Sequence, residues 1–257
     1  MFRLNKWYLD LVTSDGVAVI CYAARLRWGP VRLRYAAILV DTPGAKPDEA
    51  VAVRRVERPA INAGVLRWRC DALDVDGEWR RQQPALRATL LRGEAGAIRW
   101  SCRMPLATAN LRWGQRRFTG LGYVETLGMT VAPTRLPFQT LRWGRHLSAA
   151  HSLVWIDWTG QAPGRWIWLD GVRQDGATIN GDGSVHLAGG QRLQLSDARD
   201  IRNRLVVPSI VAALPGIARR AGSLGTMREH KMAARSTLYQ EHLPLDQGWT
   251  VYETVKW

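Results

Sequence analysis

Apolar and polar residues alternate with a period of two through most of this chain. Segments such as VAVICYAARLRW (17–28), VRLRYAAILV (31–40), HSLVWIDW (151–158) and GRWIWLDGV (164–172) are short and rich in β-branched and aromatic residues. Turn signals such as Ser14-Asp15-Gly16, Pro43-Gly44, Asp76-Gly77, Asp170-Gly171 and Gly189-Gly190 separate them. A period of two is the spacing of a β-strand, whose successive side chains point to opposite faces. Turn residues at this density join strands as antiparallel hairpins, so the pattern predicts an all-β sandwich or barrel. One stretch departs from it. Residues 198–225 contain helix formers, but Pro208 and Pro215 confine any helix to a turn or two. A short helical or irregular connection covering a barrel mouth is predicted there. Ile210, Val211 and Leu214 beside Arg219 and Arg220 also fit an amphipathic element on a membrane surface. EHKMAARSTLYQ (229–240) and GWTVYETVKW (248–257) follow as two closing strands.

A Leu/Ile-Arg-Trp tripeptide recurs at residues 26–28, 66–68, 98–100, 111–113 and 141–143. In a strand it sends the aliphatic residue and the tryptophan to one face and the arginine to the other. The repeat therefore predicts a Trp-lined inside and an outside studded with guanidinium groups, which changes how the charge is read. The net charge is +14, and of the 36 basic residues only four are lysines. Such an excess draws nucleic acid, anionic membranes or acidic ligands when it is gathered into one patch or tail. Here it is spread through the strands. The expectation is of no specific nucleic-acid partner and of weak, salt-sensitive association with an anionic membrane surface.

With 257 residues and 46% hydrophobic content, the chain can build one large or two ordinary cores. No apolar run reaches the length of a membrane-spanning helix, and Asp10 and Ser14 interrupt the first residues before a signal-peptide core forms. A cytoplasmic location is expected. Cys21, Cys70 and Cys102 are odd in number and far apart, and are read as small buried apolar residues. Gly120-x-Gly122 lacks the third glycine of a dinucleotide fingerprint, and no phosphate-binding loop, HExxH pair or serine elbow occurs. The five histidines are dispersed. Neither a cofactor nor a metal is expected.

The segment GLGYVETLGM (120–129) holds the most unusual polar residue. Alternation puts Leu121, Tyr123, Glu125 and Leu127 on one face, so the acid either faces water or sits in an interior where it needs a purpose. Elsewhere Trp155 and Asp157 share a face with His151 and Leu153, and Trp143 and Arg145 share one opposite Arg142 and His146. Carboxyls among indoles suit the protonation of an alkene or enol. Burial raises a carboxyl pKa toward the working pH, and ring faces stabilise developing positive charge. Glu125 and Tyr123 are the candidate catalytic residues, and Trp113, Trp143, Arg145, Trp155 and Asp157 the candidate ligand-binding set. The competing reading is architectural, with Glu125 paired to an arginine such as Arg142 or Arg145.

GLGYVETLG, the strand SLVWIDW, the GRWIWLDG hairpin and the final GWTVYETVKW resemble the lipocalin-like (calycin) superfamily of carotenoid 1,2-hydratases and AttH-like proteins and, more distantly, tocopherol cyclase. The resemblance implies two consecutive lipocalin-like antiparallel β-barrels, residues 1–118 and 119–257, with the Gly-x-Gly-Tyr-x-acid motif opening the second. Tyr123 and Glu125 match the motif's tyrosine and acid. Thr126 and Leu127 stand where the family has His and Asn, so the resemblance carries ligand binding further than hydration.

The leading expectation is a protein that binds an apolar small molecule of lipid, isoprenoid or polyketide type in a Trp-lined cavity and acts on it as a hydratase, cyclase or isomerase. A non-catalytic carrier or scaffold of the same fold is the alternative. An arginine-rich nucleic-acid or membrane binder is the third.

Overall fold

The computed structural model describes residues 1–53, 55–205 and 227–257, and the chain divides into two compact units, Met1–Arg135 and Leu136–Trp257. The first holds β1 (Phe2–Val12), β2 (Ala18–Trp28), β3 (Val31–Asp41), β4 (Asp48–Ala52), β5 (Ala60–Asn62), β6 (Val65–Cys70), β7 (Val75–Arg81), β8 (Leu86–Gly93), β9 (Gly96–Trp113) and β10 (Arg116–Met129). The second holds β11 (Phe138–Leu147), β12 (Ser152–Gly160), β13 (Gly164–Leu169), β14 (Val172–Arg173), β15 (Thr178–Ile179), β16 (Val185–His186), β17 (Gln191–Leu205), β18 (Arg228–Gln240) and β19 (Leu243–Lys256). Only two single-turn 3₁₀ helices, Asp71–Leu73 and Pro133–Arg135, interrupt the strands among the described residues. No described helix is long and apolar enough to cross a membrane.

Both sheets are antiparallel, as the turn spacing predicts. The first runs β4-β3-β2-β1-β10-β9-β7-β6-β5, with β8 also on β9; the second runs β14-β13-β12-β11-β19-β18-β17-β16-β15. Neither order closes into a hydrogen-bonded ring, yet each sheet rolls around one core. In the first unit Ala36 and Ile38 from one end of the sheet share a cluster with Leu66 and Trp68 from the other. Trp7, Trp68, Trp79 and Met104 fill this interior, and the Trp79 indole donates a 2.8 Å hydrogen bond to the Asp10 carbonyl. In the second unit, guanidinium groups draw the far edge back. Arg142 and Arg165 donate to the carbonyls of Ile179 and Ala177 at 3.2 and 3.1 Å, and Arg165 also pairs with Asp157 at 2.9 Å.

Three expectations are corrected. The Tyr-x-Glu motif does not open the second unit: its strand β10 lies between β1 and β9 in the middle of the first sheet, and the 118/119 boundary falls inside β10. Residues 198–205 belong to strand β17, paired with β18, because their alternation outweighs the helix formers; 206–225, with Pro208, Pro215 and the apolar and basic residues between 210 and 220, lie outside the described residues. The tripeptide repeats also do not share one orientation. Leu66, Trp68, Leu111 and Trp113 face or pack on the first core. At 26–28 and 98–100 the faces are exchanged: Arg27 and Arg99 continue the core-side series of Cys21 and Ala23 in β2 and of Ser101 in β9, while Trp28 and Trp100 take the other face.

Gly144 in β11 shows how tightly the second core is filled. A Cβ there would meet Trp155 Cζ2 at 2.1 Å and Tyr252 Cβ at 2.8 Å. Overpacking of this kind costs about 1–3 kcal/mol. Gly144→Ala is therefore expected to lower the urea midpoint by a matching amount at unchanged m-value, whereas the same change at Gly181, which has open space around it, should move it little.

Candidate functional site

The central strands of the first sheet are buried on both faces. One face of β1 and β2 gives Leu9, Leu11, Val19 and Cys21 to the core; the opposite face carries Tyr8, Asp10, Ile20 and Tyr22, all buried as well. Tyr123 and Glu125 lie on this second face, since Val124 between them joins the core. Glu125 thus does not point into the Trp-filled barrel interior; alternation reverses it.

Register brings the row together. Tyr22, Tyr8, Glu125 and Cys102 lie directly opposite one another across β2, β1, β10 and β9. An irregularity in the β9–β10 ladder places Glu125 against Cys102, and β9 carries Pro105 there, a residue with no N–H to give the ladder. Leu127 is opposite Trp100, one pleat along on the same face. The Trp100 indole N–H donates to Glu125 Oε2 at 2.5 Å, and the Tyr123 hydroxyl donates to the same oxygen at 2.8 Å. Glu125 is 7% exposed. Burial, followed by the neighbouring Cys102 and Glu125, pushes the Tyr123 hydroxyl well above its ordinary pKa, so it stays a neutral donor. Tyr8 meets Tyr22 and Tyr123 edge-on, with centroids 5.5 and 6.1 Å apart. Trp100 also lines an open cleft of about 630 Å³.

The expected ligand-binding residues are distributed over both units. Trp155 is in the second core and Asp157 shares its face, held by Arg165. Trp143 and Arg145 take the opposite, equally buried face of β11; Lys231 lies over the Trp143 ring at 5.7 Å, and Arg145 donates to the Trp249 carbonyl at 2.9 Å. Trp113 belongs to the first unit, with Arg116 over its ring. Arg142 and Arg145 each donate a hydrogen bond to a carbonyl within the second unit. All three cysteines are buried thiols, as read from the sequence.

Two further polar groups escaped the sequence reading. Lys231, fully buried, contacts Glu253 and lies 3.4 Å from Glu229, which Arg202 approaches at 3.1 Å. In the second unit's interior Thr250 donates to Ser236 Oγ at 2.8 Å, and Ser236 lies 2.7 Å from His146 Nδ1. Burial, and then the adjacent Arg145, hold the His146 pKa down to about 3. Neither group is contiguous in sequence, so no local pattern marks it.

Two outcomes follow for stability. Trp100→Phe removes a donor from a buried carboxyl oxygen and is expected to cost about 1–3 kcal/mol in denaturant melts. His146 is neutral when folded and titrates near 6.5 when unfolded, so it favours the folded state fully above pH 6.5 and progressively less as pH falls toward 3. Stability should fall by up to about 1.4 kcal/mol per pH unit in that window from this residue. In His146→Gln the slope should flatten; an unchanged slope would assign the acid sensitivity to other groups.

No family model matches the sequence, and no curated protein matches it either. Solved structures do. An AttH-like protein from Nitrosomonas europaea aligns over 98% of this chain and 92% of its own, with TM-score 0.61 at 12% identity. Kievitone hydratase from Nectria haematococca aligns over 98% and 88%, with TM-score 0.56 at 11% identity. CghA aligns over 99% and 88%, with TM-score 0.55 at 11% identity, and at 0.51 and 10% in its complex with Sch210972. At these identities the likeness is one of fold, and it spans both units: the chain has an all-β architecture of two consecutive lipocalin-like antiparallel sheets.

Proposed function

We propose that this protein binds an apolar small molecule and acts on it by acid–base chemistry of the hydration, cyclisation or isomerisation type, with Glu125 as the acid and Tyr123 as the residue that holds it. The observation that carries the reading is a buried carboxyl on one oxygen of which two neutral donors, Trp100 and Tyr123, converge. Protonation of an alkene carbon by the Glu125 carboxyl leaves a carboxylate that the two donors stabilise and a cation for which the ring faces of Tyr8 and Tyr22 are suited. Glu125 then regains its proton from an adding water in hydration, or from an adjacent carbon in isomerisation or cyclisation. The cycle is redox-neutral and closes on the same residue. The fold shared with a hydratase, and with CghA in its complex with a small molecule, supports this choice of chemistry.

The Trp100 bond ties β9 to β10, and the Tyr123 bond lies within β10, which favours a second reading in which Glu125 only fixes the sheet. Glu125→Gln separates the two. The amide oxygen can still accept from Trp100 and Tyr123, so the thermal midpoint should stay close to that of the parent while the transferable proton is lost. Apolar alkenes and enols would be incubated with parent and variant, with mass spectrometry reading the gain of one water or an isomeric product. Turnover should drop by about 10² or more in the variant. Equal turnover in the two proteins would assign Glu125 to architecture.

A further inference from the structure

The core-side face of the first sheet ends in arginine. Beyond Trp7, Ala23 and Ala36, the rows that supply the core continue as Asn5, Arg25 and Arg34 on β1, β2 and β3, in register with Gly128 and Arg99 on β10 and β9. The row before it runs Arg87, Ser101, Thr126, Trp7 across β8, β9, β10 and β1. At this end of the rolled sheet lies the cleft of about 630 Å³. Arg58, Arg87, Arg99, Arg103 and Lys6 line it, together with the hydroxyls of Ser101 and Thr126. No carboxylate is among the residues that line it. Glu57 is among the residues that line an adjoining cavity of about 180 Å³, with Arg25, Arg34 and Arg58.

These cations are held for something other than internal pairing. Arg58 stacks over the Trp7 ring at 5.7 Å and Lys6 over the Tyr22 ring at 5.3 Å, while Arg103 Nε donates to Thr126 Oγ1 at 3.4 Å. Among the described residues none of the five forms an ion pair. Arg103 is half-buried; burial, and then repulsion from Arg87 and Arg58, lower its pKa. Guanidinium groups that repel one another in a recess raise the energy of the empty protein and lower that of a complex with a multiply charged oxyanion, whose oxygens match their fork geometry. A single carboxylate would leave most of the charge unmet. A phosphate or diphosphate group would meet it, with the hydroxyls of Ser101 and Thr126 as added donors.

We propose that this arginine-lined mouth of the first unit binds a phosphate- or diphosphate-bearing ligand, with Arg103 and Arg87 as the principal contacts. The site requires nothing of Glu125 and is read by binding rather than turnover.

The test is calorimetric titration of the whole chain with inorganic pyrophosphate at fixed ionic strength. One-to-one saturable binding is expected. Arg103→Gln should weaken it at least tenfold, and Arg87→Gln, on an exposed residue of β8 that is safe for folding, should weaken it several-fold. Arg117→Gln removes the same charge from an exposed position in β10, where its neighbour Phe118 takes the core side, and should leave binding unchanged. Absence of saturable binding, or equal losses in Arg117→Gln and Arg87→Gln, would reduce the site to diffuse charge and overturn the proposal. Co-sedimentation with phosphatidylcholine vesicles containing phosphatidic acid then identifies the source of the phosphate. Vesicle binding that is lost in Arg87→Gln marks a lipid headgroup, and vesicle binding indifferent to that change marks a soluble phosphate compound.

Discussion

The constraint on which the rest of this structure depends is that its central strands have no solvated face. In a simple antiparallel sheet one face packs and the other meets water, and a polar residue on the second face is cheap. Here Leu9 and Asp10, Val124 and Glu125, and Val154 and Trp155 are neighbours in sequence on opposite faces, and all are buried. Each polar group on the second face therefore needs a partner inside the protein, because an unpaired buried charge costs several kcal/mol. Glu125 has Trp100 and Tyr123; Lys231 has Glu253 and Glu229; Arg145 has the Trp249 carbonyl.

Strand content, antiparallel pairing and the grouping of residues into faces were legible because a period of two is a local property. Trp143 with Arg145, Trp155 with Asp157, and Tyr123 with Glu125 share faces as the alternation requires. Which of the two faces holds the core was not legible. When both are buried, composition separates them poorly, so Glu125 reads as inward although Val124 is the residue that packs on the core. Register was hidden for a related reason. The donor Trp100 is 25 residues from Glu125, and their meeting depends on an irregularity near Pro105 that shifts the ladder. A proline inside an otherwise regular strand was the available signal.

The arginine repeat misled in the same way. Its alternation is real, but the tripeptide falls on alternate phases of different strands. Arg67 is exposed beside Glu78, whereas Arg99 lies on the core side beyond the end of the core. Charge that looks diffuse along the sequence is thereby gathered at one end of the first unit. The rolled sheet accepts arginines there because the core has ended and water reaches their head groups, while the side-chain stems pass over apolar rings such as Trp7.

The two units hold their buried carboxyl groups with different kinds of donor. In the second unit Glu229 is desolvated, yet Lys231 and Arg202 outweigh that penalty and hold its pKa down to about 2. An acid fixed as an anion by two cations has no proton to give near neutrality, so this group is a structural tie. In the first unit the donors on Glu125 Oε2 are an indole and a phenol, neither of which carries charge. Neutral donors hold a carboxyl oxygen by the direction of their hydrogen bonds rather than by net charge. The two groups thus differ in kind: two cations gather around Glu229, whereas an indole and a phenol converge on one oxygen of Glu125.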